Sequence, residues 1–276
     1  MNSKRTQAIG VFDSGLGGLT VMQQIARVLP NEKIIYLGDT ARLPYGEKSP
    51  ETIIRYTIEN AIFLMEQNIK VFVIACNTAT AFALSKIQNI FNIPVIGVVT
   101  PGAEQALKVT KNHHIGVIGT KGTIRSKAYE RKIQELNPQA KVVSIACPLF
   151  VPLVEEGFHH HQVAQMLIEE YLAPLKAHPI DTLLLGCTHY PILQEQIQDF
   201  LGPEIAIVDS ASTCAERVKQ TLQECQLETP LNCPQPGQFF VTDNPEKFQL
   251  LGQKFFQDGM EKVSIAFPFK VHESVS

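Results

Sequence analysis

The 276-residue chain is 45% hydrophobic, enough apolar material for one large or two ordinary domains. Its 24 Lys and Arg against 27 Asp and Glu leave a formal charge of −3, so no basic footprint for a nucleic-acid backbone or an anionic membrane surface is present. No apolar run nears the roughly 18 residues that span a bilayer, and Asp13 cuts short the apolar stretch behind Lys4 and Arg5, so no signal peptide or membrane segment is expected and the location reads as cytoplasmic.

Short β-branched runs alternate with amphipathic stretches, the pattern of an α/β protein with parallel sheets. Strands are expected at 9–12 and 33–37. Ser49, Pro50 and Glu51 then supply an N-cap, a proline for the first helical position and an early acid. Ile54, Ile58, Ala61, Ile62 and Met65 follow at helical spacing, with Asn68 as a stop. Further strands fall at 71–75 and 95–99, and the Pro101–Gly102 step marks a boundary near 99–102. Beyond it, strands at 115–119, 141–146, 181–186 and 205–208 alternate with helices at about 123–136, 162–177 and 191–201. Pro230, Pro234 and Pro236 mark a loop, after which strands at 239–242 and 263–267 return to complete the first half.

The chain resembles itself. Ile9-Gly10-Val11-Phe12-Asp13-Ser14 matches Ile115-Gly116-Val117-Ile118-Gly119-Thr120, and Val71-Phe72-Val73-Ile74-Ala75-Cys76-Asn77-Thr78 matches Thr182-Leu183-Leu184-Leu185-Gly186-Cys187-Thr188-His189. Two matches in the same order predict two related α/β halves. The expected division is a first domain of residues 1–98 plus 209–276 and a second of residues 99–208.

Six cysteines are too few for a disulfide scaffold in a chain this long, and none forms a Cys-x-x-Cys pair, which argues against a zinc ribbon or a thioredoxin-like site. Cys76 and Cys187 each follow a strand and precede a helix, the position that faces the ligand crevice in open parallel sheets. A helix N-terminus beyond each thiol lowers its pKa toward working pH. Taken singly, either is an ordinary core residue. Taken together, in repeated contexts on facing halves, they form an acid and a base on opposite sides of one carbon, as inversion of a carbon acid requires. Cys147, Cys214, Cys225 and Cys233 lack that context and read as packing or loop thiols.

At this point the sequence resembles the cofactor-independent aspartate/glutamate racemases, and among them the glutamate racemases. The resemblance covers most of the chain and rests on residues 10–18 (GVFDSGLGG), 38–46 (GDTARLPYG), 75–81 (ACNTATA) and 185–191 (LGCTHYP). It implies two pseudo-symmetric flavodoxin-like domains with largely parallel sheets and the active site between them. The implied activity is interconversion of L- and D-glutamate by thiol and thiolate, with D-glutamate feeding peptidoglycan synthesis. The family's catalytic cysteines fall on Cys76 and Cys187, and its auxiliary acids on Asp13, Asp39 and, beside the equally placed Glu156, Glu155. Its substrate contacts fall on Asp13, Ser14, Tyr45, Gly46, Asn77, Thr78, Thr188 and His189, and Asp39 is grouped with them. From the residues themselves, Asp13 ends the first strand and could orient or help deprotonate Cys76, or it could cap the helix after the glycines. His189 can serve Cys187 in the same way, and Ser14, Asn77, Thr78 and Thr188 offer neutral donors or N-caps.

Three other signals are set aside. Gly15-Leu16-Gly17-Gly18 lacks the third glycine of a dinucleotide fingerprint, since Thr20 stands there, and Asp13 would repel a pyrophosphate. Adjacent His159, His160 and His161 cannot all face one ion and read as a solvated loop. Nothing near Lys111 or Lys121 matches a P-loop. No cofactor and no metal are therefore expected, and the expected partner is a small-molecule substrate. A homodimer is compatible with the sequence, which does not fix the oligomeric state.

Overall fold

Two parallel sheets organise the chain in the computed structural model, which describes residues 3–253, 255–256, 260 and 262–268. Residues 269–276, assigned above to the first half, lie outside these. The first sheet begins with β1 (Ala8–Asp13), α1 (Leu19–Val28), β2 (Ile34–Gly38), α2 (Pro50–Glu66), β3 (Ile69–Ile74), α3 (Asn77–Ile90) and β4 (Val95–Gly97). Next, α4 (Val99–Val109) leads into the second sheet, built from β5 (His114–Gly119), β6 (Lys141–Ala146), β7 (Thr182–Gly186) and β8 (Ala206–Asp209). Its helices are α5 (Lys121–Ser126), α6 (Ala128–Leu136), α7 (Phe150–Glu155), α8 (Gln162–Leu172) and α9 (Gln194–Leu201). Finally α10 (Ser210–Glu224) returns to the first sheet, which β9 (Gln238–Val241), α11 (Pro245–Gly252) and β10 (Val263–Ile265) complete.

Every pairing is parallel, and the strand orders are β10-β9-β2-β1-β3-β4 and β6-β5-β7-β8. The order β2-β1-β3-β4 recurs as β6-β5-β7-β8, so the repeated sequence segments occupy equivalent places: β1 answers to β5 and β3 to β7. These central strands read as largely apolar runs, with Lys70 near the start of β3 as an exception, because helices cover both faces of the sheet. One buried cluster packs Leu19, Met22 and Ile25 of α1 with Ala215 and Val218 of α10. The opposite face of the first sheet is filled by Phe12, Leu37, Ile53 and Ile74. Ile115, Val117, Ile133 and Leu184 pack the second sheet against α4 and α6. The chain passes between the sheets twice, at Val98 and at Asp209–Ser210. Among the described residues no helix is long and apolar enough to cross a membrane.

Several elements differ from the sequence expectation, each for a local reason. The strand at 95–99 ends at Gly97, and Val99 already opens α4; Pro101 and Gly102 lie in that helix's first turn, where a missing N–H does no harm. The helix expected at 123–136 is two helices, broken at Lys127, whose φ of 53° is left-handed. The helix expected at 162–177 stops at Leu172 and tightens into a 3-10 turn carrying Pro174. At 191–201 a 3-10 turn over Tyr190–Leu193 precedes α9. In α2 the buried face is Ile53, Thr57, Asn60, Ala61 and Leu64, one step round from the predicted stripe, and Ile62 is exposed. Of the three adjacent histidines, His159 and His160 lie in a 3-10 turn over Phe158–His160, and His161, extended just after it, caps α8 by accepting the Val163 N–H.

Candidate active site

The carboxyl ends of the two sheets meet across a seam, and the loops that leave β1, β3, β5 and β7 face one another there. Cys76 leaves β3 as the N-cap of α3. Its Sγ accepts the Ala79 N–H at 3.4 Å and donates to Ser14 Oγ at 3.6 Å. The lowering expected from the helix N-terminus is present in the Ala79 hydrogen bond but is outweighed. Burial pushes the thiol up, the nearby Asp13 charge adds to that, and the two hydrogen bonds do not offset them, so it stands at about 12.

Cys187 has different neighbours. It is followed by a turn rather than directly by a helix, and its Sγ lies 3.9 Å from His189 Nδ1. His189 Nε2 in turn lies 3.0 Å from Glu155 Oε1. Burial alone would disfavour the imidazolium. The hydrogen bonds and charges of Cys187 and Glu155 outweigh it and hold the His189 proton up to about 10. The ambiguity between the two glutamates resolves in space: Glu156 turns outward, with Lys247 Nζ 4.0 Å away.

Asp13 does not hydrogen-bond Cys76. It is wholly buried behind the site, where Oδ1 accepts the Gly15 N–H at 2.9 Å and Oδ2 accepts the Thr188 hydroxyl at 3.3 Å, joining the β1 loop to the β7 loop. Burial raises its pKa, partly opposed by the His189 charge and its hydrogen bonds. The glycines that mimic a nucleotide loop serve this close approach: a Cβ on Gly17 would collide with Thr188 and His189, and one on Gly18 with Asp13.

Asp39 also stands behind the wall. Buried at the end of β2, it accepts from Arg42 Nε at 2.8 Å, Tyr45 Oη at 2.5 Å, Asn60 Nδ2 at 3.1 Å and Thr242 Oγ1 at 2.9 Å. The Arg42 guanidinium also pairs with Glu59 and lies 4.0 Å over the Tyr56 ring. Asp39 thus anchors Tyr45 and the loop that carries Gly46.

The remaining predicted residues, Ser14, Tyr45, Gly46, Asn77, Thr78, Thr188 and His189, line one cavity together with both thiols and Glu155. Its volume is about 40 Å³. Past Leu43 and Glu155 lies a wider pocket of about 240 Å³, walled by Leu16, Thr40, Asn244, Lys247 and Phe248. Sequence reasoning missed Thr120 on the cavity wall, where its hydroxyl lies 2.8 Å from that of Thr78 and 3.1 Å from that of Thr123. The internal repeat held the signal, since Thr120 occupies the place of Ser14 in the second half. Among the described residues no group of three or more His, Cys, Asp and Glu side chains is placed to hold a metal ion.

Thiols at the ends of equivalent strands, opening on one closed cavity ringed with neutral donors, make an acid–base site able to reach a carbon centre from both faces. The sequence profile of the Asp/Glu/Hydantoin racemase family matches residues 9–218, and the chain belongs to that family. It is 49% identical over 249 residues to the glutamate racemase of Geobacter metallireducens, covering 90% of this chain and 92% of that protein. Among solved structures, a glutamate racemase isoform of Bacillus anthracis superposes with a TM-score of 0.91 at 40% identity, covering 96% of this chain and all of that one. The Francisella tularensis glutamate racemase, solved with D-glutamate, gives 0.90 at 40% identity, covering 96% of this chain and 98% of that one.

Proposed function

We propose that this racemase interconverts L- and D-glutamate by moving a proton between Cys76 and Cys187. The observation that carries the reading is the pair itself, two thiols from equivalent strands of opposite halves on one cavity. Its extensive identity to glutamate racemases supplies the substrate. One sulfur, as thiolate, removes the α-proton; the other, as thiol, delivers its own proton to the opposite face, and the pair exchanges protonation states in each turnover. The His189 imidazolium beside Cys187, itself held by Glu155, offers a counter-charge to the thiolate that Cys187 forms in turnover. Cys76 is the resting thiol, in keeping with its raised pKa. The likeness to the glutamate racemases assigns removal of the L-glutamate proton to Cys187 and of the D-glutamate proton to Cys76. Ser14, Asn77, Thr78, Thr120 and Thr188 supply hydrogen bonds to the carboxylates and to the charge that develops at the α-carbon.

Residues 1–98 with 209–276, and 99–208, act as two domains that part at Val98 and Asp209 to admit substrate. The product D-glutamate serves peptidoglycan synthesis in a bacterial cytoplasm.

The test is loss of optical activity from L-glutamate, then from D-glutamate, with Cys76→Ser and Cys187→Ser beside the parent. Each variant should lose about 10² to 10⁴ of the rate. In deuterated water, label should enter D-glutamate before it enters recovered L-glutamate. Near-normal racemisation by either serine variant would remove that thiol from the reaction, and no action on glutamate at all would overturn the substrate.

A further inference from the structure

Asn77 is the first residue of α3, directly after Cys76, and its amide is held by one group from the second half and one from the point where the chain crosses back. Tyr129 Oη donates to Asn77 Oδ1 at 2.6 Å, and Asn77 Nδ2 donates to Ser210 Oγ at 3.4 Å. Tyr129 belongs to α6 on the second sheet, and Ser210 opens α10 at the point where the chain crosses back. All three side chains are buried, Tyr129 and Asn77 each at 2% exposure. The tyrosine ring has a prepared slot: a Cβ on Gly102 would meet its Cε1 at 3.3 Å, and one on Gly186, the residue before Cys187, would meet Cε2 at 3.1 Å. The ring thus lies between the first crossing and the second catalytic loop, and its hydroxyl reaches the first.

An amide can present its oxygen or its nitrogen to either side, and the two faces differ in sign. A donor tied to Oδ1 fixes the choice. With the oxygen engaged by Tyr129 and one Nδ2 hydrogen engaged by Ser210, the second Nδ2 hydrogen is the one left to address a molecule in the cavity that Asn77 lines. We infer that Tyr129 is a positioning residue of the racemase: its hydroxyl sets the Asn77 amide so that an N–H, and not the carbonyl oxygen, meets a carboxylate of the bound amino acid. This rests on the reading of the cavity as the glutamate site. Tyr129 touches no reacting atom, and without it the amide is free to turn its oxygen toward the anionic substrate, which would repel it.

Tyr129→Phe tests the inference, because it keeps the ring in its slot and removes only the donor. KM should rise about 10-fold for both enantiomers while kcat changes little, the loss of one hydrogen bond to a charged group. Asn77→Ala should show a similar rise, and the double variant should be no worse than Asn77→Ala alone, since both changes remove one interaction. Ser210→Ala, which leaves the tyrosine hydroxyl in place, should have the smaller effect and reports whether disturbance of the crossing alone is harmful. The side-chain amide signals of Asn77 in 15N-labelled protein, assigned by their disappearance in Asn77→Ala, should shift in Tyr129→Phe before any substrate is added. An unchanged KM in Tyr129→Phe, or effects of the two substitutions that multiply in the double variant, would overturn the inference. If the parent enzyme fails to racemise glutamate, the functional reading falls, and the amide signals still decide the matter: unshifted signals in Tyr129→Phe refute the role given to its hydroxyl.

Discussion

Cys187 has an imidazole 3.9 Å from its sulfur where Cys76 has a serine hydroxyl at 3.6 Å, so a symmetric fold carries an asymmetric pair of thiols. Enantiomers have equal free energies, hence kcat/KM must be the same in both directions at every pH, and the asymmetry can appear only in kcat and KM separately. The shared kcat/KM profile should be bell-shaped, because turnover needs one thiolate and one thiol. His189 keeps its proton below about 10, so its counter-charge persists through neutral pH and is lost as pH rises past that value, which places the high-pH limb there. The same sign governs stability: against an ordinary value of 6.5, the protonated pair stabilises the fold fully below pH 6.5 and stops doing so as pH climbs through about 10. His189→Asn should lower kcat/KM about 10²-fold and displace the alkaline limb. Glu155→Gln should shift that limb downward by weakening the imidazolium, whereas Glu156→Gln, on an exposed side chain, should leave the profile unchanged. Identical profiles for the two glutamine variants would undo the assignment of Glu155. The pairing of His189 with Cys187 was legible in the sequence, but the raised Cys76 thiol was not, because the helix-end argument that expects an acidified Cys76 takes no account of burial, which only tertiary packing sets.

The break between α5 and α6 decides where Tyr129 points. Lys127 ends α5 in the left-handed region, its N–H returning to Ile124, while Ser126 Oγ accepts the Ala128 N–H to restart the helix at once. A non-glycine residue there is strained by about 1 kcal/mol, more when β-branched. Lys127→Gly should therefore leave stability unchanged or raise it by up to about 1 kcal/mol, and Lys127→Val should lower it by about 1–2 kcal/mol, read from urea midpoints. Equal midpoints for the two variants would show that backbone strain does not hold the break. The strands themselves were legible within about two residues at each end, since fully buried parallel strands write themselves as apolar runs. Repetition made the equivalence of β1 with β5 and β3 with β7 visible as well, and it already paired Thr120 with Ser14, a site residue whose role was not carried across to its counterpart. The break at Lys127 leaves no such trace: apolar spacing continues across it, and a lysine carries no turn signal. Nor does spacing connect Tyr129 with Asn77, which only the packing of the two halves brings together.

At the amino-terminal end of the first sheet, buried Lys70 reaches the Arg5 carbonyl at 2.7 Å, the Leu227 carbonyl at 2.8 Å and Glu32 at 2.5 Å, while Glu32 accepts the Thr229 N–H at 2.7 Å. This cluster fastens the start of the chain and the segment after α10 to β3. Lys70→Met alone should cost about 3–5 kcal/mol by stranding the Glu32 charge, and the double change with Glu32→Leu should recover much of it in a thermal melt. A double variant as unstable as the single would show that the carbonyl contacts, not the stranded charge, dominate. On the proposed reaction, the opposite end of the sheet has to open. A cavity of about 40 Å³ holds about three waters, far less than a dicarboxylic amino acid, and Cys76 and Cys187 are each only 6% exposed. Rigid helices and sheets leave the two crossings, Val98 and Asp209–Ser210, as the places where the halves can part. Opening breaks the hydroxyl contacts between Thr78 and Thr120 and the bond from Arg125 to the Lys48 carbonyl, all of them along the seam. Cys225 and Cys233 are exposed and supply an internal clock. Iodoacetamide followed by peptide mapping should label those two first and Cys76 and Cys187 far more slowly, at a rate set by the open population. Glutamate should slow the slow pair further and leave the exposed pair untouched, because occupied halves close on the ligand. Alkylation of Cys187 as fast as Cys225, with no protection by glutamate, would mean that the seam stands open in solution and that substrate reaches the thiols without any movement of the halves.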